Sequence, residues 1–235
     1  TFSGLLLFFR CLDITFVANE IDFMDSDRYS IHFSPLQGYT DRIYRNAFAH
    51  YFGGVEVYYT PFIRVEKGAL RKRDLRDIEP ETNTVADLIP QILPGSADEF
   101  RLLTDAVGEE GYRQIDINLG CPFPMIAGKH KGAGMLLYPA QVAEVLAPIA
   151  EYPEIQFSLK MRLGWENASE CMVLVELLNT LRLSRIALHA RTGKQQYKGH
   201  PDLEAFQGFY ELCQHPLYYN GDIESLSDIR QILTR

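Results

Sequence analysis

The sequence predicts an α/β fold, a TIM (β/α)₈-type barrel apparently missing its eighth βα unit. Three observations carry this expectation. Strand-like and helix-like patterns alternate along the chain, and repeated β-then-α units build a parallel sheet. The units recur every ~25–40 residues, which fits a barrel better than an open sheet. Polar or reactive residues stand at the C-terminal end of nearly every strand pattern, the face where barrel enzymes keep their chemistry.

In chain order, the strand-like runs are Tyr29–Phe33, Val55–Thr60, Leu88–Leu93, Gln114–Leu119, Gln156–Lys160, Arg185–His189 and Leu217–Asn220. They are short and largely apolar or β-branched, as buried strands are. Helical patterns separate most of them. Ala97–Val107 follows Ser96, a good N-cap, and Pro139–Ala150 opens with proline, which suits a first helical turn. Ser169–Thr180, Asp202–Leu212 and Ser225–Leu233 carry polar caps. Residues 64–87 are charged and weakly periodic and define no element. The last residue, Arg235, closes the seventh helical pattern. A gap with two unpaired sheet edges is therefore expected at the eighth position, unless the chain is a piece of a longer one or another segment fills the place.

The chain has 235 residues and 46% hydrophobic content, enough for a sizeable core and too apolar for general disorder. No apolar run approaches the ~20 residues of a membrane span, so no membrane partner is expected. Cys11, Cys121, Cys171 and Cys213 lie far apart and form no C-x-x-C pair. That argues against a metal site or a redox dithiol, and so few cysteines fit a cytoplasmic setting. The net charge of −8 argues against a generic nucleic-acid coat protein. Residues 64–76 nevertheless gather Arg64, Lys67, Arg71, Lys72, Arg73 and Arg76 against Glu66 and Asp74. This stretch reads as a local basic patch or as a solvated charged loop. Residues 1–23 read as an N-terminal extension, expected to be weakly ordered. Their apolar run, Leu5 to Phe9, is shorter than the ~7–15 residues of a signal-peptide core, and Met24 is a plausible start. Residues 24–235 are expected to form the catalytic domain.

The most informative stretch is Ile115-Asp116-Ile117-Asn118-Leu119-Gly120-Cys121-Pro122. A β-branched strand stops at glycine and proline, with a thiol between them. Cys121 is either placed for chemistry or buried before a turn. Other strand ends carry Pro35-Leu36-Gln37-Gly38, Gln91, Lys160 with Arg162, His189 with Arg191, and Asn220-Gly221-Asp222. Each alone has a dull explanation as a cap or turn. Their recurrence at one structural position argues for a shared site.

These motifs resemble the tRNA-dihydrouridine synthase family, FMN-dependent flavoenzymes that reduce uridine in tRNA. The resemblance runs from about Tyr29 to Arg235. It rests on Ser-Pro-Leu-Gln-Gly-Tyr-Thr-Asp (34–41), Gln91-Ile92, Asp-Ile-Asn-Leu-Gly-Cys-Pro (116–122) and Gly132-Ala133-Gly134. It continues through Leu-Lys-Met-Arg-Leu-Gly-Trp (159–165), His-Ala-Arg-Thr (189–192), Gln-Tyr-Lys-Gly (196–199) and Asn-Gly-Asp-Ile (220–223). Two departures stand out. Leu36 replaces the family's usual methionine, and the family's eighth strand, Gly-Arg pair and helical domain do not fall within these residues.

The resemblance implies hydride transfer from reduced FMN to C6 of uracil and a proton from Cys121 to C5. A thiol with pKa near ~8.5 is mostly protonated at neutral pH and suits a general acid. The implied flavin contacts are Pro35 and Leu36 on the ring, Gln37 beside them, Gln91 and Lys160 at its polar edge, and His189 at the flavin or its phosphate side. His189 also reads as a histidine satisfied inside the barrel. Asn220, Gly221 and Asp222 form a candidate phosphate nest. Asn118, Arg162 and Arg191 match positions expected to hold the uracil edge. The implied partners are tRNA, whose target base must leave its stack, and NADPH or NADH as reductant. The 64–76 stretch, Lys129 and Lys131 are candidate phosphate contacts. Two other readings are an FMN barrel acting on a free pyrimidine or enone, and an inactive truncated RNA-binding fragment.

Overall fold

A computed structural model describes residues 30–233, together with the backbone of Ile14–Val17. In chain order its elements are β1 (Ile14–Val17), β2 (Ile31–Phe33), α1 (Arg42–Tyr51), β3 (Val57–Tyr59), β4 (Val65–Glu66), β5 (Ala69–Leu70) and α2 (Lys72–Arg76). Then come β6 (Leu88–Ile89), β7 (Gln91–Ile92), α3 (Ala97–Glu109), β8 (Gln114–Leu119), α4 (Pro124–Ala127) and α5 (Pro139–Leu146). The chain continues with β9 (Gln156–Gly164), α6 (Glu170–Asn179), β10 (Leu183–Thr192), α7 (Leu203–Leu212), β11 (Leu217–Asn220) and α8 (Leu226–Leu233). All seven strand patterns are strands, and β9 and β10 run further than expected. No described helix is long and apolar enough to cross a membrane.

The main sheet has the order β6-β3-β2-β1-β11-β10-β9-β8-β7. Its two terminal strands, β6 and β7, are one extended run interrupted at Pro90. Every neighbouring pair is parallel except those made by β1, which lies antiparallel to both β2 and β11. At the eighth position lies another segment, the alternative that the sequence left open. Among the described residues there is no eighth parallel strand, and a piece of the supposed extension lies in its place. The reason is physical: β2 and β11 present unpaired backbone groups that need partners, and Ile-Thr-Phe-Val is rich in residues that favour strands. The rest of the 1–23 extension lies outside the described residues.

Three further differences are local. The helix α1 escaped the sequence reading; Asp41 caps it by accepting from the Tyr44 backbone N–H. The expected helix 139–150 is α-helical only to Leu146 and continues as a 3₁₀ turn, Ala147–Glu151, where Pro148 supplies no N–H. The undefined 64–87 connection contains the β4–β5 hairpin, turned at Lys67 and Gly68, both with positive φ. Fully buried Arg45 on α1 then ties this connection down. Its guanidinium donates to Thr40 O, to Asp77 Oδ2 at 2.8 Å, to Asp77 O and to Asn83 Oδ1.

Strand alternation divides the chain's apolar and polar residues. Ile115, Ile117 and Leu119 of β8, with Phe157, Leu159 and Met161 of β9, belong to one core with Phe100, Leu103 and Val107 of α3. Their alternate neighbours point to the other face. There the register sets Asp116 beside Gln91 and Ser158, Asn118 beside Lys160, and His189 beside both Arg162 and Asn220. The pleat thus collects polar side chains in successive rungs toward the C-terminal ends.

Candidate active site

A cavity of about 510 Å³ opens at that end. It is lined by Pro35, Leu36 and Gln37 after β2, by Phe62 and Arg64 after β3, and by Gln91, Asn118 and Cys121. Lys160, Arg162, His189 and Tyr197 complete the far side. Nine of the sequence-predicted site residues therefore share one cavity: Pro35, Leu36, Gln37, Gln91, Asn118, Cys121, Lys160, Arg162 and His189.

Cys121 is a free thiol, partly buried against Phe62, Leu93 and Ile126. Burial pushes its pKa up, against the Phe123 backbone N–H and the charges of Arg162, Lys160 and Arg64. The loop that carries it is tightly held. Asn118 Oδ1 accepts from the backbone N–H of Gly120 at 3.0 Å and of Cys121 at 2.9 Å. Ala133 donates to the Cys121 carbonyl at 3.0 Å. Gly132, at φ +55°, packs so closely that a Cβ there would lie 2.8 Å from Cys121 O. That contact explains Gly132, the first glycine of the 132–134 motif.

The basic groups are fixed by neighbours. Lys160 Nζ donates to Asn220 Oδ1 at 3.0 Å. Arg162 donates to Gly120 O, Thr192 O and Gln196 O, joining the loops after β8 and β10, and its guanidinium lies 5.5 Å from the Tyr197 ring centre. His189 is buried, and its pKa is held well below the usual range by burial and by Arg162, Lys160 and Arg191. It is a neutral imidazole at pH 7.

Four predicted site residues do not line the cavity. Arg191 makes a two-pronged ion pair with Asp222, Nη1 to Oδ1 at 2.7 Å and Nη2 to Oδ2, and also donates to Gly199 O. This pair holds the Asp222 carboxyl below its usual range. A residue expected at the uracil edge and one expected at the phosphate are thus bound to each other. Asn220 accepts from Lys160, which lines the cavity, and Gly221 lies beside the Tyr219 hydroxyl. In the basic stretch, Arg64, Arg71 and Arg73 line the cavity, whereas Lys131 is paired with Glu99 at 2.5 Å. Sequence reading missed Phe62 and Phe123 as lining residues, because loop positions carry no periodicity. It also passed over Asp116, whose signal was a carboxylate in the middle of a buried strand.

The donor set fits FMN. Pro35 and Leu36 offer an apolar face, Lys160 a cation, and Gln91 and His189 polar atoms, in a cavity of ligand-binding size.

Fold and site together are those of an α/β barrel in which a thiol, a lysine and an arginine line one cavity at the C-terminal ends of the strands. The dihydrouridine synthase family model matches residues 32–235, and the chain belongs to that family. It is 28% identical over 206 residues to tRNA-dihydrouridine synthase B of Vibrio parahaemolyticus, covering 85% of this chain and 62% of that protein. It is 27% identical over 210 residues to tRNA-dihydrouridine synthase B of Pseudomonas putida, covering 88% and 61%. A probable tRNA-dihydrouridine synthase of Rhizobium leguminosarum is 31% identical over 128 residues, 54% of this chain and 40% of that one. The chain therefore spans about 62% of the length of the first of these relatives. Among solved structures, a GH18 chitinase from Pseudoalteromonas aurantia aligns at a TM-score of 0.47 and 9% identity, over 76% of this chain and 83% of that one.

Proposed function

We propose that this protein reduces uridine in tRNA to 5,6-dihydrouridine. The observation that carries the reading is the convergence of a protonated thiol, Cys121, with Lys160, Gln91 and Arg162 on one cavity. When bound, FMN supplies the hydride that adds to C6 of the uracil ring, and a nicotinamide cofactor, NADPH or NADH, is the source of electrons. The chain's own residues do the rest. Leu36 and Pro35 pack on the flavin ring, Lys160 holds its polar edge, and Asn220 keeps that ammonium in place. Arg162 and the amide nitrogen of Asn118 face the uracil oxygens, while the Asn118 oxygen stays on the Cys121 loop. Cys121 gives its proton to C5, where negative charge develops as C6 is reduced. Arg64, Arg71 and Arg73 at the mouth face the RNA phosphates, a contact that would make binding fall with salt. A tRNA substrate also implies work in the cytoplasm.

The test is direct. The purified protein is incubated with unmodified tRNA and NADPH or NADH, and dihydrouridine is measured by mass spectrometry of the nucleosides. Bound flavin and dihydrouridine in tRNA support the reading. Turnover of free uracil or uridine in preference to tRNA, or a protein that binds no flavin, overturns it.

A further inference from the structure

From the cavity wall inward, a buried chain of hydrogen bonds runs to Asp116 and Ser158, to which no role has been given above. Ser158 Oγ donates to Asp116 Oδ1 at 2.6 Å. Gln91 Nε2 donates to Asp116 Oδ2 at 2.6 Å, and Asn118 Nδ2 donates to Gln91 Oε1 at 2.8 Å. Asn118 Oδ1 then accepts from Gly120 and Cys121, as described. Gln91 is 0% exposed, Asp116 and Ser158 2%, and Asn118 7%.

The direction of this chain is set at its two ends. An amide side chain has an acceptor end and a donor end of nearly the same shape, and its partners decide which way it faces. At the cavity end, two backbone N–H groups demand an acceptor, so Asn118 turns its oxygen to them. At the deep end, Asp116 Oδ2 accepts from Gln91 Nε2 at 2.6 Å, so Gln91 turns its nitrogen to Asp116. The two amides between are then forced into one orientation. Without an obligate acceptor at 116, Gln91 can invert. Its nitrogen would then meet the Asn118 nitrogen, and the anchor of the Cys121 loop would loosen.

We propose that Asp116 is a positioning residue for the proton donor: acting through Gln91 and Asn118, it fixes the backbone that carries the Cys121 thiol. This rests on the reading of Cys121 as the acid, and the test separates the two. Asp116→Leu removes the acceptor. Asp116→Asn can restore it, because its oxygen can face Gln91 while its nitrogen donates to the Ser158 hydroxyl, which also accepts.

Two measurements are made on the flavin-loaded protein: kcat and KM for tRNA, and the pH profile of iodoacetamide alkylation at the Cys121 peptide, read by mass spectrometry. The expected result for Asp116→Leu is a kcat about tenfold lower, with the tRNA KM and flavin content near the parent's, and an altered alkylation profile. Asp116→Asn should lie within about threefold of the parent on both readouts. If Asp116→Leu does not fold, Gln91→Met cuts the same chain one link further on and should alter the alkylation profile in the same way. A parent-like kcat and alkylation profile in the folded Leu variant, or in Gln91→Met where Leu fails to fold, overturns the proposal. The alkylation profile needs no turnover, so it judges the relay even if Cys121→Ala proves fully active and the acid assignment falls.

Discussion

At the residue scale, the chemistry turns on a thiol that keeps its proton. Partial burial disfavours the Cys121 thiolate more than the nearby cations favour it. A cysteine tuned as a nucleophile would show the opposite balance. Cys121→Ala should retain flavin and tRNA affinity but form dihydrouridine slower by roughly 10²–10⁴-fold, the worth of a general acid. Product per bound flavin, compared with Cys213→Ala, checks this; equal rates in both variants would make the thiol structural. Lys160 is judged differently. Its ammonium rests on Asn220 and lines the cavity, so Lys160→Met should lower flavin retained through purification or slow its reduction by NADPH. Parent-like absorbance and reduction kinetics would remove it from the flavin site.

At the scale of elements, the strand ends were legible because strand alternation and motif agree there. Asn118, Lys160 and His189 sit where a two-residue period puts them, and register brings them together. What escaped the sequence is what non-local partners decide. The 64–83 region looks aperiodic because its order comes from a hairpin and from buried Arg45, not from an apolar face. The ion pair of Arg191 with Asp222 joins residues on different strand ends, and neither position announces the other. The glycine motif had no evident purpose until its packing against the Cys121 loop was seen. That packing makes a prediction. Gly132→Ala adds both a left-handed strain of about 1–2 kcal/mol and a collision with Cys121 O, whereas Gly111→Ala, at φ +91° with open space around it, adds only the strain. Both should melt lower than the parent, Gly132→Ala by the larger margin. Only Gly132→Ala should also lose kcat, by several-fold. Equal turnover in the two variants would show that the Cys121 loop tolerates the intrusion.

At the scale of the whole molecule, this barrel keeps a large apolar core between sheet and helices and buries several polar groups on the sheet's other face. Composition foretold a large core, but not that the interior would hold His32, Asp116, Ser158 and His189. That interior makes stability depend on pH. Burial, then the charge of Arg185, lowers the His32 pKa from 6.5 to about 3. Its Nδ1 lies 3.2 Å from the Tyr59 hydroxyl. His189 is shifted in the same direction. Between pH 6.5 and about 3 the unfolded chain therefore binds a proton at His32 that the folded one refuses. The stabilising share of this site is complete above pH 6.5 and is lost progressively as pH falls below it. Asp116 works the other way: burial raises its pKa, so its ionisation weakens the fold as pH rises. Single-site variants separate the two. His32→Gln should lower the melting temperature at pH 7.5 but flatten its decline toward pH 5, so that the gap from the parent narrows on acidification. Melting curves at several pH values provide the check. A gap that stays constant from pH 7.5 to 5 would mean that His32 titrates alike in both states, and that the acid sensitivity of the barrel has another source.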